Sequence, residues 1–325
     1  MKILICYFSG TGNTKKVIDC FSECFTKEYN DEVTLVRMED EFNLDVNEFD
    51  LVGIGYPVHA FNAPSIVLNF CKKLPKLKNG KKAFIVNTSG EPLKLNNISS
   101  IKTVQILKKR NIEVTNEYHY CMPYNIIFRH GDEMAYRMWR VVQLVAPLDA
   151  RQLRSGEGSK LKPVFMGGFI AWIMRCEHWG GRLNGKQYKV NENCVNCNKC
   201  INICPTRNIT IKNGKIRFGN NCLMCMRCAH LCSKDAIKIG WFNKWKVNGA
   251  YSFKKPKSPD TKSYNRMLTR AYKKYFDENN MRIAMNYPSV ILKNYDDKNA
   301  AREYDLNESE AAAANAEEDY AFNNN

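Results

Sequence analysis

No stretch of this 325-residue chain is apolar for the roughly 18 residues that a membrane span requires. The longest such run, Val164 to Met174, has Gly167 and Gly168 inside it and is closed by Arg175. There is no long apolar leader with a small-residue cleavage site. One lysine and a short apolar stretch run straight into Ser9-Gly10-Thr11, which reads as a strand and a loop, so the expectation is a cytoplasmic protein without a transmembrane segment. No Gly-Lys-Ser/Thr follows the glycine-rich loop, and the third glycine of a dinucleotide fingerprint is missing. No Ser-His-Asp or Cys-His-Asn arrangement can be argued, and no helix-turn-helix or ribonucleoprotein aromatic motif is present. These absences argue against a P-loop nucleotidase, a nucleophilic hydrolase and a nucleic-acid reader. With 44% hydrophobic and 25% charged residues, the composition also excludes collagen-like, mucin-like and wholly disordered chains.

Charge and cysteine are unevenly spread. Residues 1–150 carry 19 basic and 17 acidic side chains, residues 151–298 carry 29 and 9, and residues 299–325 carry 1 and 7. The middle segment, at 29 − 9 = +20, will attract an anionic partner. Eight of the 14 cysteines lie between Cys194 and Cys232, which in a chain without a secretion signal points to metal rather than disulfides.

Strands and helices alternate over the first 120 residues. Lys2–Phe8 is a continuous apolar run, as in a strand buried on both faces. Further strands are expected at 33–36, 51–56, 83–86 and 112–120. Helices are expected after the first strand (Val17, Ile18, Phe21 and Phe25 on one face), at 64–74 and at 98–107. This order predicts an α/β, doubly wound, five-stranded parallel sheet with its ligand beyond the carboxyl ends of the strands. The first loop, Ser9-Gly10-Thr11-Gly12-Asn13-Thr14, joins a buried strand to a helix N-terminus. Its glycines allow the backbone to curl around a ligand, its side chains offer hydroxyl and amide donors, and the helix end adds free N–H groups. It reads as a phosphate cradle; the plainer alternative is a capping turn.

Cys194-x2-Cys197-x2-Cys200-x3-Cys204-Pro205 recurs as Cys222-x2-Cys225-x2-Cys228-x3-Cys232-Ser233, each cysteine 28 residues from its counterpart. Arg207-Asn-Ile-Thr-Ile211 is likewise repeated as Asp235-Ala-Ile-Lys-Ile239. Structural zinc is the alternative for such pairs, but it explains neither a third cysteine nor the intact duplication. The other six cysteines read as small buried hydrophobes.

On the loop motif and the two loops expected after strands three and four, Gly55 to Phe61 (G-Y-P-V-H-A-F) and Asn87 to Gly90 (N-T-S-G), residues 1–125 resemble flavodoxins. The resemblance implies FMN, its phosphate at Ser9, Gly10, Thr11, Gly12, Asn13 and Thr14. Pro57, Val58, His59, Ala60 and Phe61 would lie on one side of the flavin, and Thr88, Ser89 and Gly90 on the other. His59 is equally readable as a flavin contact or proton donor and as a loop histidine capping a carbonyl. On its cysteine runs, the segment 186–242 resembles the two-cluster bacterial ferredoxins, which implies a small α+β unit with two 4Fe-4S clusters. In that arrangement Cys194, Cys197, Cys200 and Cys232 hold one cluster; Cys222, Cys225, Cys228 and Cys204 hold the other.

The whole therefore resembles flavodoxin–ferredoxin fusions. The implied organisation is a flavodoxin-like unit over 1–150, a connector over 151–185, the ferredoxin-like unit over 186–242, a basic extension over 243–298 and an acidic, disordered tail over 299–325. Met122 to Ala150 is expected to be the last helix of the layered unit. Val164 to Met174 is expected to be buried at the interface or against a partner, with a membrane-surface role the lesser reading. An amphipathic helix around Met267 to Phe276 is expected to cover the ferredoxin-like surface. The implied activity is electron transfer between FMN and the clusters, with an acidic redox protein as partner. A flavin-dependent reductase of a quinone or nitro compound, and a redox sensor, are the competing classes.

Overall fold

The computed structural model describes residues 1–264 and 266–287. The expected acidic tail and the end of the basic extension lie outside the described residues. Strands β1 (Lys2–Tyr7), β2 (Glu32–Arg37), β3 (Leu51–Pro57), β4 (Lys81–Ser89) and β5 (Ile112–Cys121) form one parallel sheet in the order β2-β1-β3-β4-β5. The central strands β1, β3 and β4 come from the near-continuous apolar runs, because both sides of a parallel sheet are covered by helices. Helices α1 (Asn13–Tyr29) and α4 (Asp132–Arg154) lie on one face with Ile3, Ile5, Phe21, Phe84 and Met138. Helices α2 (Ser65–Lys73) and α3 (Ile101–Lys109) lie on the other with Leu4, Phe8, Ile54, Val67 and Leu107. The order reverses between β1 and β3, so the loops following those strands border the sheet's switch point, where ligands of such folds sit.

The helix expected from Met122 begins only at Asp132. Residues 122–131 form instead an aromatic loop across the carboxyl ends of the strands, with Tyr124 and His130 stacked at 5.2 Å.

Connector helices α5 (Gly167–Met174) and α6 (Glu177–Gly185) lead into the cysteine-rich unit. There the 28-residue repeat is written in the backbone. Short helices α7 (Lys199–Asn202) and α8 (Arg227–His230) are one period apart. So are the left-handed residues Asn196 and Met224, Asn198 and Met226, and Arg207 and Asp235. Strand β6 (Tyr188–Val190) pairs antiparallel with β9 (Ile237–Ile239), and β7 (Ile209–Lys212) with β8 (Lys215–Phe218), so each pair is the image of the other across the duplication.

The run Val164 to Met174 is not buried at an interface within the chain: of α5 only Gly167 and Ala171 are buried, and Phe169, Trp172 and Ile173 face outward. The C-terminal helix α9 (Arg266–Asn286) packs on α4 and not on the cysteine-rich unit. Leu268, Tyr272, Phe276 and Ile283 join the core of the sheet's α1/α4 face.

Candidate functional site

The loop Ser9–Thr14 turns the chain from β1 into α1, and Gly12 caps the helix with φ 100°, a left-handed conformation that glycine adopts without penalty. Gly12 has no side chain to cap α1 and the first turn holds no acid, so the helix end turns its partial positive charge, and its first N–H groups other than that of Lys15, to the loop. Much of the side-chain donor set, however, is already engaged. Ser9 Oγ accepts from the Lys15 N–H at 3.3 Å, and Asn13 Nδ2 donates to the Pro123 carbonyl at 2.8 Å. The Thr14 and Thr88 hydroxyls bond each other at 2.8 Å, which joins this loop to the end of β4, and Thr11 Oγ accepts from Asn125 Nδ2 at 3.2 Å. A phosphate here would meet backbone N–H groups first. A helix end with no acid in its first turn, set in a glycine-rich curl, fits the FMN phosphate.

The second loop continues β3. Val58 N–H donates to the Thr88 carbonyl at 2.7 Å, and His59 and Asn62 exchange backbone hydrogen bonds at 2.9 and 2.8 Å. Between them Ala60 and Phe61 are both left-handed (φ 40° and 62°), strain that persists only where the surroundings impose it. Burial holds His59 down to about 4, with His178 adding to the effect. Its Nδ1 lies 3.8 Å from Glu177 Oε1, on α6, and burial raises that carboxyl to about 7. The third loop carries Ser89, whose hydroxyl donates to the Glu91 carbonyl, and Gly90, where a Cβ would overlap the Tyr124 ring. The Tyr272 hydroxyl donates to the Gly90 carbonyl, so α9 reaches the site too.

The eight thiols surround two cavities. One is lined by Cys194, Cys197, Cys200 and Cys232, the other by Cys204, Cys222 and Cys225; Cys228 lies between and lines both. Each run thus sends its fourth cysteine toward the other run's cavity. Backbone N–H groups of Asn208, Met224 and Ala236 each donate to a thiol, those of Cys204, Cys222 and Cys232, at 3.3 Å. Burial pushes the Cys225 thiol up to about 12 and raises the Cys228 thiol well above its ordinary value, so thiolates there require a compensating cation. Among the described residues no three His, Cys, Asp or Glu groups converge on one metal ion. Cavities that each gather four or more cysteines among apolar side chains, with N–H donors on the sulfurs, fit 4Fe-4S clusters.

The two halves meet at the phosphate loop. A Cβ at Gly10 would overlap the Cys225 carbonyl, so the second cysteine run lies directly against that loop. Arg227 clamps the contact. It donates to the Ser9 and Gly10 carbonyls at 2.7 and 3.2 Å, and pairs with the buried Glu39 at 2.7 Å. Sequence reasoning missed Arg227, Glu39, Tyr124, Glu177 and Tyr272, because a lone charge or aromatic carries no local sign of a contact made between 33 and 218 residues away.

An FMN-type sheet whose switch-point loop is pressed against a twin-cavity cysteine unit defines an iron–sulfur flavoprotein of electron transfer. The chain carries a flavodoxin domain, matched by that family's model over residues 4–113, and a 4Fe-4S dicluster domain, matched over 177–245. Its cofactors are accordingly FMN and two 4Fe-4S clusters. Among solved structures, it is similar to a flavodoxin of Streptococcus pneumoniae (14% identity, 48% of this chain and 99% of that one, TM-score 0.35). It is also similar to the two-electron reduced flavodoxin of Megasphaera elsdenii (24% identity, 36% and 84%, TM-score 0.32). A third similar structure is an FMN-dependent NADH-azoreductase of Bacillus anthracis (12% identity, 47% and 99%, TM-score 0.35). No curated protein matches the chain. Among the described residues no helix is long and apolar enough to cross a membrane.

Proposed function

We propose that this protein passes electrons between FMN and a redox partner protein through two 4Fe-4S clusters, the cluster of the second cysteine run standing between the flavin loops and the other cluster. The observation that carries the order is the seating of Cys225 on Gly10. When bound, FMN exchanges one or two electrons and each cluster one. In this reading Cys222, Cys225, Cys228 and Cys204 hold the inner cluster, and Cys194, Cys197, Cys200 and Cys232 the outer one. The chain's own part is positional. Arg227 fixes the cysteine unit against the phosphate loop. The Thr14–Thr88 bond fixes two flavin loops to each other, and the turn of Ala60 and Phe61 presents the third. Cys197 and Val195 are exposed at the outer cavity, beside Lys199 and Lys234. Lysines at that exit favour an acidic partner, drawn in by charge. Functional units of 1–150 and 186–242, joined by a connector over 151–185, go with this reading.

The test is cofactor content after anaerobic purification. The expected result is about one FMN, eight iron and eight acid-labile sulfide per chain. Two zinc ions without sulfide overturn the cluster half, and absence of flavin overturns the other.

A further inference from the structure

The connector presents an apolar surface of unusual construction. Helix α5 reads Gly-Gly-Phe-Ile-Ala-Trp-Ile-Met, without a single charge. A helix apolar all round belongs in a core or in contact with lipid. Here the small residues face inward: Gly167 and Ala171 are buried, and a Cβ at Gly167 would already stand 2.9 Å from Ile98 Cγ2. The large ones face water. Phe165 is 88% exposed, Trp172 63% and Trp179 72%, and Met166, Phe169, Ile173 and Leu183 are exposed beside them. Phe169, Trp172, Trp179 and Leu183 recur at helical intervals through α5 and α6 as one stripe, with Phe165 just ahead of α5. Trp241, 65% exposed, lies at its end, its backbone N–H donating to Asn184 Oδ1 of α6 at 2.8 Å. Soluble proteins rarely leave so many large apolar side chains together on a free surface.

The charges around the stripe name its occupant. From Lys160 to Lys189 there are six basic residues, Lys160, Lys162, Arg175, Arg182, Lys186 and Lys189, and one acid. That acid, Glu177, faces His59 and is raised to about 7 by burial, so it subtracts little. Lysine is depleted in protein–protein interfaces, whereas lysines flanking protruding tryptophans and phenylalanines are what an anionic bilayer surface attracts. We propose that α5 and α6 dock this protein onto membranes containing anionic phospholipid. The aromatics enter the headgroup boundary and the basic residues pair with lipid phosphates. The helices lie on the bilayer and do not span it.

The proposal does not rest on the electron-transfer reading, and its test is independent of the cofactors' activity. Full-length holoprotein is cosedimented with phosphatidylcholine vesicles with and without phosphatidylglycerol, at low and high salt. The expected result is binding that needs phosphatidylglycerol, weakens with salt, and falls about tenfold for each aromatic removed in the series F165S, W172S and W179S. Brominated lipid should quench tryptophan emission in the wild type and less in W172S/W179S. These residues are exposed, so folding is preserved, which unchanged FMN content verifies. Equal binding by the triple variant, or no binding by the wild type, overturns the proposal. So does a stripe found covered by a second copy of the chain in solution, with vesicles failing to displace it.

Discussion

Arg227 donates to the carbonyl of Ser9 at 2.7 Å, a hydrogen bond between the residue two places after Cys225 and the first residue of the phosphate loop. The guanidinium also lies 5.7 Å above the Phe8 ring and pairs with Glu39, whose side chain is almost fully buried. Breaking a buried pair by removing one partner leaves the other charge stranded, at about 3–5 kcal/mol, whereas replacing both with apolar groups is far milder. Arg227→Leu should therefore lower stability by several kcal/mol and expose residues 186–245 to protease. The double variant R227L/E39L should recover much of the stability without restoring the docking. Denaturant melts of the four-member cycle check this; additive effects would show that the clamp is not a unit.

Crossed ligation predicts which cluster each fourth cysteine serves. Cys204→Ala should damage the cluster of Cys222, Cys225 and Cys228, because the Cys204 thiol lines that cavity and is oriented there by the Asn208 N–H. Cys232→Ala should damage the cluster of Cys194, Cys197 and Cys200, by the equivalent geometry with Ala236. Electron paramagnetic resonance distinguishes the two; if each variant injured its own run, the duplicated loops would be separate four-cysteine sites.

Acid should loosen the site from the α9 side. The Tyr124 N–H donates to His130 Nδ1 at 3.2 Å, so that nitrogen is bare, and Nε2–H is left to donate to the Tyr272 hydroxyl at 2.9 Å. Burial holds His130 down to about 3 and His119 to about 4. A histidine with a depressed native pKa binds its proton more readily in the unfolded chain. The stability contributed by these two histidines is therefore complete above pH about 6.5 and falls as pH drops from there toward about 4, by up to ~1.4 kcal/mol per unit and histidine. In His130→Gln the thermal midpoint should fall less steeply over that window; parallel curves would assign the acid lability elsewhere.

What could be read in the sequence was local. The continuous apolar runs mark buried parallel strands because such strands have no wet face, and a 28-residue duplication of cysteines needs no tertiary context. What could not be read depends on which surfaces meet. The stripe Leu268, Tyr272, Phe276 and Ile283 declares an amphipathic helix, yet would look the same against either half of the molecule. The run Val164 to Met174 looks like core because hydrophobicity carries no sign of which side chains face in; here the smallest do. The donors of Asn13 and Thr14 read as ligand contacts, although Pro123 and Thr88 already engage them.

Thr11→Glu separates the loop's ligand role from its structural one. A carboxylate just before Gly12 would stand at the N-terminus of α1, whose first turn holds no acid, a place where negative charge stabilises a helix by about 0.3–1 kcal/mol. The variant should thus fold as well as the wild type or slightly better when free of flavin. The same charge would stand where the FMN phosphate is expected, and like charges at such a separation repel strongly in a partly buried site. Flavin content should fall to near zero while iron and labile sulfide remain at wild-type levels. Thr11→Ser, which keeps a hydroxyl beside Asn125 Nδ2, should retain FMN. Absorbance of the purified proteins, with iron analysis and an apo-protein melt, reads all three effects. Full flavin occupancy in Thr11→Glu would move the phosphate away from the Ser9–Thr14 loop, and a parallel loss of iron would mean that the substitution had unseated Cys225 from Gly10 rather than repelled a ligand.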